Sequence, residues 1–318
     1  MINKNSRIII TGATGFVGQN LVLDLQNKGY NDISALVRQS SKTTWLKQHN
    51  VKLIRADISD FVSLRKINQP FDAIFHCAGY VGNNRKLLKR VNINGTQNAC
   101  DLAIRLGINR MVYTSSVAVV SGHDDVPLRE YLPYKASNAY GESKIDAEKI
   151  VLRLRKEKNL NAAIIRPCMI YGESEPHLMR ILLFLIKYRL LPLVGAGKNK
   201  MHMGYIKNVT AALIHALEND TLLRDSFFIA DNEIMTFNEI YGILNRAVGA
   251  GKPWHLPKIF AALMIQTPIG GSFFKNRAYS LDRIKKTGFI PPYPAVQSLI
   301  NSASYFYPKR KNNENTGL

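Results

Sequence analysis

Tyr140 and Lys144 stand four residues apart in Tyr140-Gly141-Glu142-Ser143-Lys144. On a helix this spacing puts a phenol and an ammonium on one face. An unperturbed tyrosine, with a pKa of about 10, is a poor base at neutral pH, and a neighbouring cation favours its phenolate. Such a pair can accept and return the proton of a substrate alcohol. Tyrosine and lysine meet this way on many helix surfaces, so the surrounding elements decide whether the pair matters. Ser115-Ser116 follows the apolar run 110–114. Hydroxyls at the C-terminal end of a parallel strand face the crevice where open α/β sheets bind ligands.

The elements that must position these groups begin with residues 7–25. Arg7-Ile8-Ile9-Ile10-Thr11 reads as a buried parallel strand, Gly12-Ala13-Thr14-Gly15-Phe16-Val17-Gly18 as a tight turn, and residues 19–25 as a helix. The glycines permit close backbone approach, and the free N–H groups at the helix start suit a pyrophosphate. A purely structural turn is the competing reading of this GxxGxxG spacing. A second strand, 33–37, ends in Arg38 rather than an acid. An acid there would bond the ribose hydroxyls of NAD, whereas an arginine pairs with the 2′-phosphate of NADP. Arg38 with Ser40, Ser41 and Lys42 favours NADP(H); an arginine stacked on adenine would tolerate NAD(H).

Strands 51–55 and 71–77 come next. Asp57-Ile58 is placed to meet the adenine amino group, with a loop-capping aspartate as the alternative, and the small residues Ala78-Gly79 let the backbone run beside a cofactor. His76 sits within a buried strand pattern and reads as a core histidine. A helix is expected over 86–107, carrying Asn92-Ile93-Asn94-Gly95-Thr96, and another over 138–158 with Ser137 or Asn138 as its N-cap.

TGATGFVG at 11–18, Asp57-Ile58, FHCAG at 75–79, NINGT at 92–96, VYTSS at 112–116, YGESK at 140–144 and RPCMIYG at 166–172 together resemble the extended branch of the short-chain dehydrogenase/reductase superfamily. That branch holds NAD-dependent epimerase/dehydratases and 3β-hydroxysteroid dehydrogenase-like enzymes. The motifs occupy the first half of the chain in the family's order. The resemblance implies that Tyr140 is the general acid/base, that Lys144 lowers its pKa and holds the nicotinamide ribose, and that Ser116 bonds the reacting oxygen. Hydride would pass between a substrate carbon and the nicotinamide. The implied cofactor set is Gly12, Thr14, Gly15, Phe16, Val17 and Gly18 at the turn, with Arg38, Asp57 and Ile58 at the adenosine. Cys77, Ala78, Gly79, Asn92, Thr114, Ser115 and Pro167, with Tyr140 and Lys144, complete the set. Pro167 lies near the carboxamide and Asn92 behind the site; Tyr80, Ser116 and Cys168 would face the substrate.

The fold expected is α/β, a Rossmann-type doubly wound parallel sheet with a smaller C-terminal substrate lobe. Residues 1–175 make the dinucleotide-binding part, completed by a strand near 227–230; residues 176–308 are mainly the substrate lobe, and 309–318 a disordered basic tail. Relatives that handle nucleotide sugars usually carry an arginine after the glycine turn 194–199, where this chain has Met201, and an aspartate where it has Asn208. Lys198, Lys200 or Arg180 could replace the lost charge. The apolar segment 259–274 is broken by Gln266, Pro268 and Gly270-Gly271 and falls short of the ~20 residues that span a bilayer. Flanked by Lys258, Lys275 and Arg277, it reads either as a peripheral helix on anionic lipid or as a core or dimer-interface helix.

Forty-three Lys and Arg against 23 Asp and Glu give the 318 residues a net charge of +20, which favours anionic partners without choosing among them. No base-reading helix or aromatic ladder supports nucleic acid. Cys77, Cys100 and Cys168 have no metal-ligand or disulfide spacing, and few residues precede the first strand, so a reducing, cytoplasmic setting is expected. Relatives suggest a homodimer through the helices at 86–107 and 138–158. The function expected is NADP(H)-dependent oxidation or reduction of a secondary alcohol or ketone, on a nucleotide sugar or an apolar molecule. A nucleotide-sugar 4-epimerase with tightly held NAD is the alternative. A non-catalytic NADP sensor is disfavoured by the intact Ser116, Tyr140 and Lys144.

Overall fold

The computed structural model describes residues 2–176, 178–194, 197–256 and 276–308. The apolar segment 259–274 and the tail 309–318 lie outside the described residues.

At the centre is β1 (Ile8–Thr11), with Ile8 and Ile10 in one buried cluster and Ile9 in the cluster on the opposite face. Both faces of the sheet are covered, so both sets of alternating side chains are apolar. The chain continues through α1 (Phe16–Asn27), β2 (Ile33–Val37), α2 (Thr44–Gln48), β3 (Lys52–Arg55), α3 (Phe61–Arg65) and β4 (Ala73–His76). The single helix expected over 86–107 is three pieces: a turn of α-helix, α4 (Arg85–Leu87), a π-helical stretch Leu88–Asn94, and α5 (Gly95–Arg105). The wider turn ends where Asn92 is buried and bonded on all sides, and where Gly95 packs against Ile58.

Then come β5 (Arg110–Thr114), α6 (Ala139–Lys158), β6 (Ala162–Pro167), β7 (Met169–Tyr171), α7 (Leu178–Lys187), β8 (Leu193–Val194), β9 (Lys200–Met201), β10 (Met203–Tyr205) and α8 (Ile206–Glu218). The chain closes with β11 (Ser226–Ile229), β12 (Met235–Thr236), α9 (Phe237–Ala247), β13 (His255–Leu256), α10 (Asp282–Lys285) and α11 (Ala295–Phe306).

Seven parallel strands run in the order β3-β2-β1-β4-β5-β6-β11. The order reverses between β1 and β4, and that switch point opens a crevice at the strands' C-terminal ends. α8 packs on α1, and β11 pairs with β6. Residues 206–229 therefore return to the sheet before the chain re-enters the smaller lobe. There α7, α9 and α11 enclose Leu183, Ile186, Tyr241, Leu244 and Leu299, and a Thr236–Glu239 capping box starts α9.

Candidate active site

The turn after β1 is shaped by close backbone approach. Gly12 has φ +73°, and a Cβ there would lie 2.6 Å from the Ala78 nitrogen; a Cβ on Gly18 would lie 2.2 Å from the Gly12 carbonyl oxygen. α1 begins at Phe16 with Gly15 as its N-cap, without a side-chain cap and without an acid in its first turn. Its first N–H groups are thus left for an anion, and the cradle fits a dinucleotide pyrophosphate.

A cleft of about 1070 Å³ opens from this turn across the ends of β4, β5 and β6. Gly12, Gly15, Phe16, Val17 and Gly18 line one end; Cys77, Gly79, Thr114, Ser115, Ser116 and Pro167 line its floor, with Tyr140 and Lys144 rising from α6. Asn138 starts that helix by accepting the Gly141 N–H at 2.8 Å. Gly141 has no Cβ to strike the Ala118 carbonyl, which would be 2.6 Å away, so the helix seats directly against the turn that follows Ser116.

Burial sets the electrostatics. Lys144 is 4% exposed; its ammonium donates to the Thr114 carbonyl at 2.9 Å and the Tyr113 hydroxyl at 3.3 Å, and its pKa falls to about 8. Burial pushes the Tyr140 phenol up to about 12, offset in part by its hydrogen bond with Ser116. In this structure the Lys144 ammonium is turned onto the end of β5, and the influences on the phenol are burial and Ser116.

The family model described as "NAD dependent epimerase/dehydratase family" matches residues 8–229. The chain belongs to this family. It is thus an extended short-chain dehydrogenase/reductase, a superfamily of NAD(P)-dependent oxidoreductases, epimerases and dehydratases. Among its relatives is the sterol-4-alpha-carboxylate 3-dehydrogenase, decarboxylating, of Bos taurus, 32% identical over 247 residues, which cover 74% of this chain and 68% of the relative. The 2-alkyl-3-oxoalkanoate reductase of Stenotrophomonas maltophilia is 28% identical over 298 residues, 88% of this chain and 85% of that protein. The solved UDP-glucose 4-epimerase of Thermotoga maritima has the same fold, with a TM-score of 0.79 at 20% identity, covering 94% of this chain and 98% of that one.

Other residues singled out for this epimerase/dehydratase-family site lie around the cleft rather than on its wall. Arg38 is exposed just beyond β2, where its carbonyl accepts a hydrogen bond from Arg55. The Asp57 carboxylate accepts from the Ser59 N–H and hydroxyl, and Ile58 is buried against Gly95. Thr14 is exposed, its carbonyl receiving Gln19, and Ala78 donates its N–H to the Thr11 hydroxyl. Asn92 bonds both the N–H and the carbonyl of Tyr80 and also the Ser143 hydroxyl, tying the loop after β4 to α6. His76 lies between the Thr11 and Thr96 hydroxyls, and burial drops its pKa to about 3.

Ser115 lines the cleft, while its hydroxyl donates to the buried Glu148 inside the fold. Ser116 keeps its hydroxyl by the cleft, where it caps Ala118 at 3.1 Å. Tyr80 and Cys168 also line the cleft, joined by Met169, Met201, His202, Met203, Arg277 and Tyr279. Bridges between Met201 and Arg277 and between Leu128 and Tyr279 bring this late segment in. The Arg277 guanidinium donates to the carbonyls of Ser121 and His123.

Proposed function

We propose that this chain is an NADP(H)-dependent reductase that converts an apolar ketone to a secondary alcohol. The observation that carries the reading is the makeup of the wall beside Tyr140 and Ser116: Met169, Met201, Met203 and Tyr279 present thioethers and an aromatic ring, and Met201 stands where the sequence resemblance gives nucleotide-sugar enzymes, as a rule, an arginine. Methionines adapt to irregular apolar shapes.

The uncapped start of α1 and the glycines around it hold the pyrophosphate, and Arg38 holds the adenosine phosphate. Among the described residues its guanidinium has no carboxylate partner. The dinucleotide supplies the hydride when bound. Tyr140, with its pKa near 12, keeps its proton at neutral pH and is set to give it to a carbonyl oxygen becoming an alkoxide. Ser116 orients that oxygen through its hydroxyl, and Lys144 keeps positive charge nearby below about pH 8.

A second reading, a nucleotide-diphosphate-sugar 4-epimerase with tightly held NAD, is favoured by one feature, the Arg277 cation in the cleft wall. The experiment is to denature the purified protein and identify any released dinucleotide, then titrate stripped protein with NADPH and NADH and assay apolar ketones against UDP-glucose. Exchangeable NADPH with ketone turnover supports the reductase. Stoichiometric retained NAD with epimerisation overturns it.

A further inference from the structure

Carboxylates are unevenly distributed along this chain. Residues 176–217 contain no Asp or Glu while carrying Arg180, Lys187, Arg189, Lys198, Lys200 and Lys207, and residues 240–281 contain none while carrying Arg246, Lys252, Lys258, Lys275 and Arg277. The first segment opens with α7, whose Met179, Leu182, Leu183 and Ile186 are buried towards α9 and α11. Its other face remains apolar in solvent: Ile181 is 49% exposed, Phe184 47% and Tyr188 57%, one stripe at helical spacing.

Leu190, 57% exposed, follows on the turn, and Trp254, 42% exposed, donates its indole N–H to the Arg189 carbonyl at 2.8 Å. The Phe184 and Tyr188 rings lie 4.8 Å apart. By helical geometry Arg180 and Lys187 border the stripe on one side. Long basic side chains beside such a stripe can bury their stems and keep their charges at a headgroup layer, and Trp and Tyr favour the same depth.

We infer that this face of α7, with Leu190 and Trp254, docks on an anionic lipid bilayer. The apolar stripe supplies insertion and Arg180, Lys187 and Arg189 supply attraction, a combination that fits a negatively charged lipid surface. An RNA partner would use the cations but not the aliphatic stripe, and a second copy of this chain would bring the same positive charge against itself. α7 starts two residues after Pro176, which lines the cleft, so docking would set the substrate lobe at the lipid boundary. The inference does not depend on the proposed reductase activity, because the test reads binding without substrate.

The test is sedimentation of the full chain with vesicles of phosphatidylcholine alone and of phosphatidylcholine mixed with phosphatidylglycerol, with Trp254 fluorescence followed in a Trp45→Phe background. Binding to the mixed vesicles only, a blue shift of Trp254, and release by high salt are expected. Phe184→Glu/Tyr188→Glu should abolish binding, and Arg180→Ala/Arg189→Ala should weaken it about tenfold. Val62→Glu, an exposed apolar position on α3, should leave it unchanged. Circular dichroism checks that each variant folds. Equal binding to both vesicles, no binding, or binding indifferent to Phe184→Glu/Tyr188→Glu would overturn the inference. So would a dimer that this double variant dissociates while vesicles are ignored.

Discussion

α6 carries two buried clusters one helical turn apart, and they are built on opposite terms. At its start, Tyr140 and Lys144 face the cleft, and Lys144 is buried against neutral oxygens, with no carboxylate in contact among the described residues. One turn later Glu148, fully buried, receives the Arg166 guanidinium at 2.6–3.2 Å, the Tyr134 hydroxyl at 2.7 Å and the Ser115 hydroxyl. Arg166 is 4% exposed and sends a further bond to the Glu130 carbonyl. The second cluster is a closed network whose charges are all answered, which fixes β5, β6 and α6 together. The first keeps perturbed groups facing open space, as proton transfer requires. In the proposed reading, chemistry sits where the fold leaves interactions incomplete, beside a place where it completes every one.

The sharpest way to break this comparison is to exchange a single atom at the open end. Tyr140→Phe should lower turnover by about 10²–10⁴-fold while dinucleotide affinity and melting temperature stay nearly unchanged. Stopped assays and titrations on the same preparation read both, and undiminished turnover would remove Tyr140 as the proton donor. At the closed end the prediction is inverted. Glu148→Ala strands the Arg166 charge in the interior and should cost about 3–5 kcal/mol in urea unfolding. Glu148→Met/Arg166→Met should recover most of that loss, because both charges leave together.

Lys144 tests whether function is held at the expense of stability. Its folded pKa of about 8 lies below its ordinary 10.5, so burial of the ammonium costs roughly 3 kcal/mol at neutral pH. With the folded pKa the lower one, the folded state releases its proton first. The penalty is full below about pH 8 and fades as pH rises towards 10.5. Lys144→Met should therefore be more stable than the parent by about 1–2 kcal/mol at pH 7, after the two lost hydrogen bonds are subtracted, with the gap closing by pH 10. The same variant should be inactive. Urea melts at both pH values check the sign, and a variant less stable at pH 7 would show that the hydrogen bonds to Thr114 and Tyr113 outweigh desolvation.

The two clusters of α6 were unequally legible. Tyr140, Lys144, Ser116 and the glycine turn show in the sequence because their geometry is local: a helix repeat, a strand end, a turn that admits no Cβ. Glu148 has no such signature, since a lone glutamate in a helix usually faces water, and only the packing of β6 and residue 134 reveals its partners. Arg277 and Tyr279 reach the cleft through bridges to Met201 and Leu128, pairings across irregular chain that no periodicity announces. The π-helical stretch at Leu88–Asn94 has no sequence signature, because the bonds of Asn92 to Tyr80 and Ser143 appear only in three dimensions. The direction in which Lys144 points was likewise a matter of what lay beneath it.

Arg38 extends the contrast to the two arginines and carries the smallest expected effect. Arg166 is closed on Glu148, whereas Arg38 is exposed at the end of β2 and, among the described residues, bonded only through its backbone. An open guanidinium at this position can clamp a 2′-phosphate, but water screens the interaction, so its value is about one tenfold step in affinity rather than several. Arg38→Asp should weaken NADPH by about tenfold and strengthen NADH, since the new carboxylate repels the phosphate and accepts from ribose hydroxyls. Paired titrations of parent and variant measure the ratio. If that ratio does not move, the arginine lies on the adenine face instead, a contact indifferent to the phosphate, and the proposed NADP preference loses the residue that carries it.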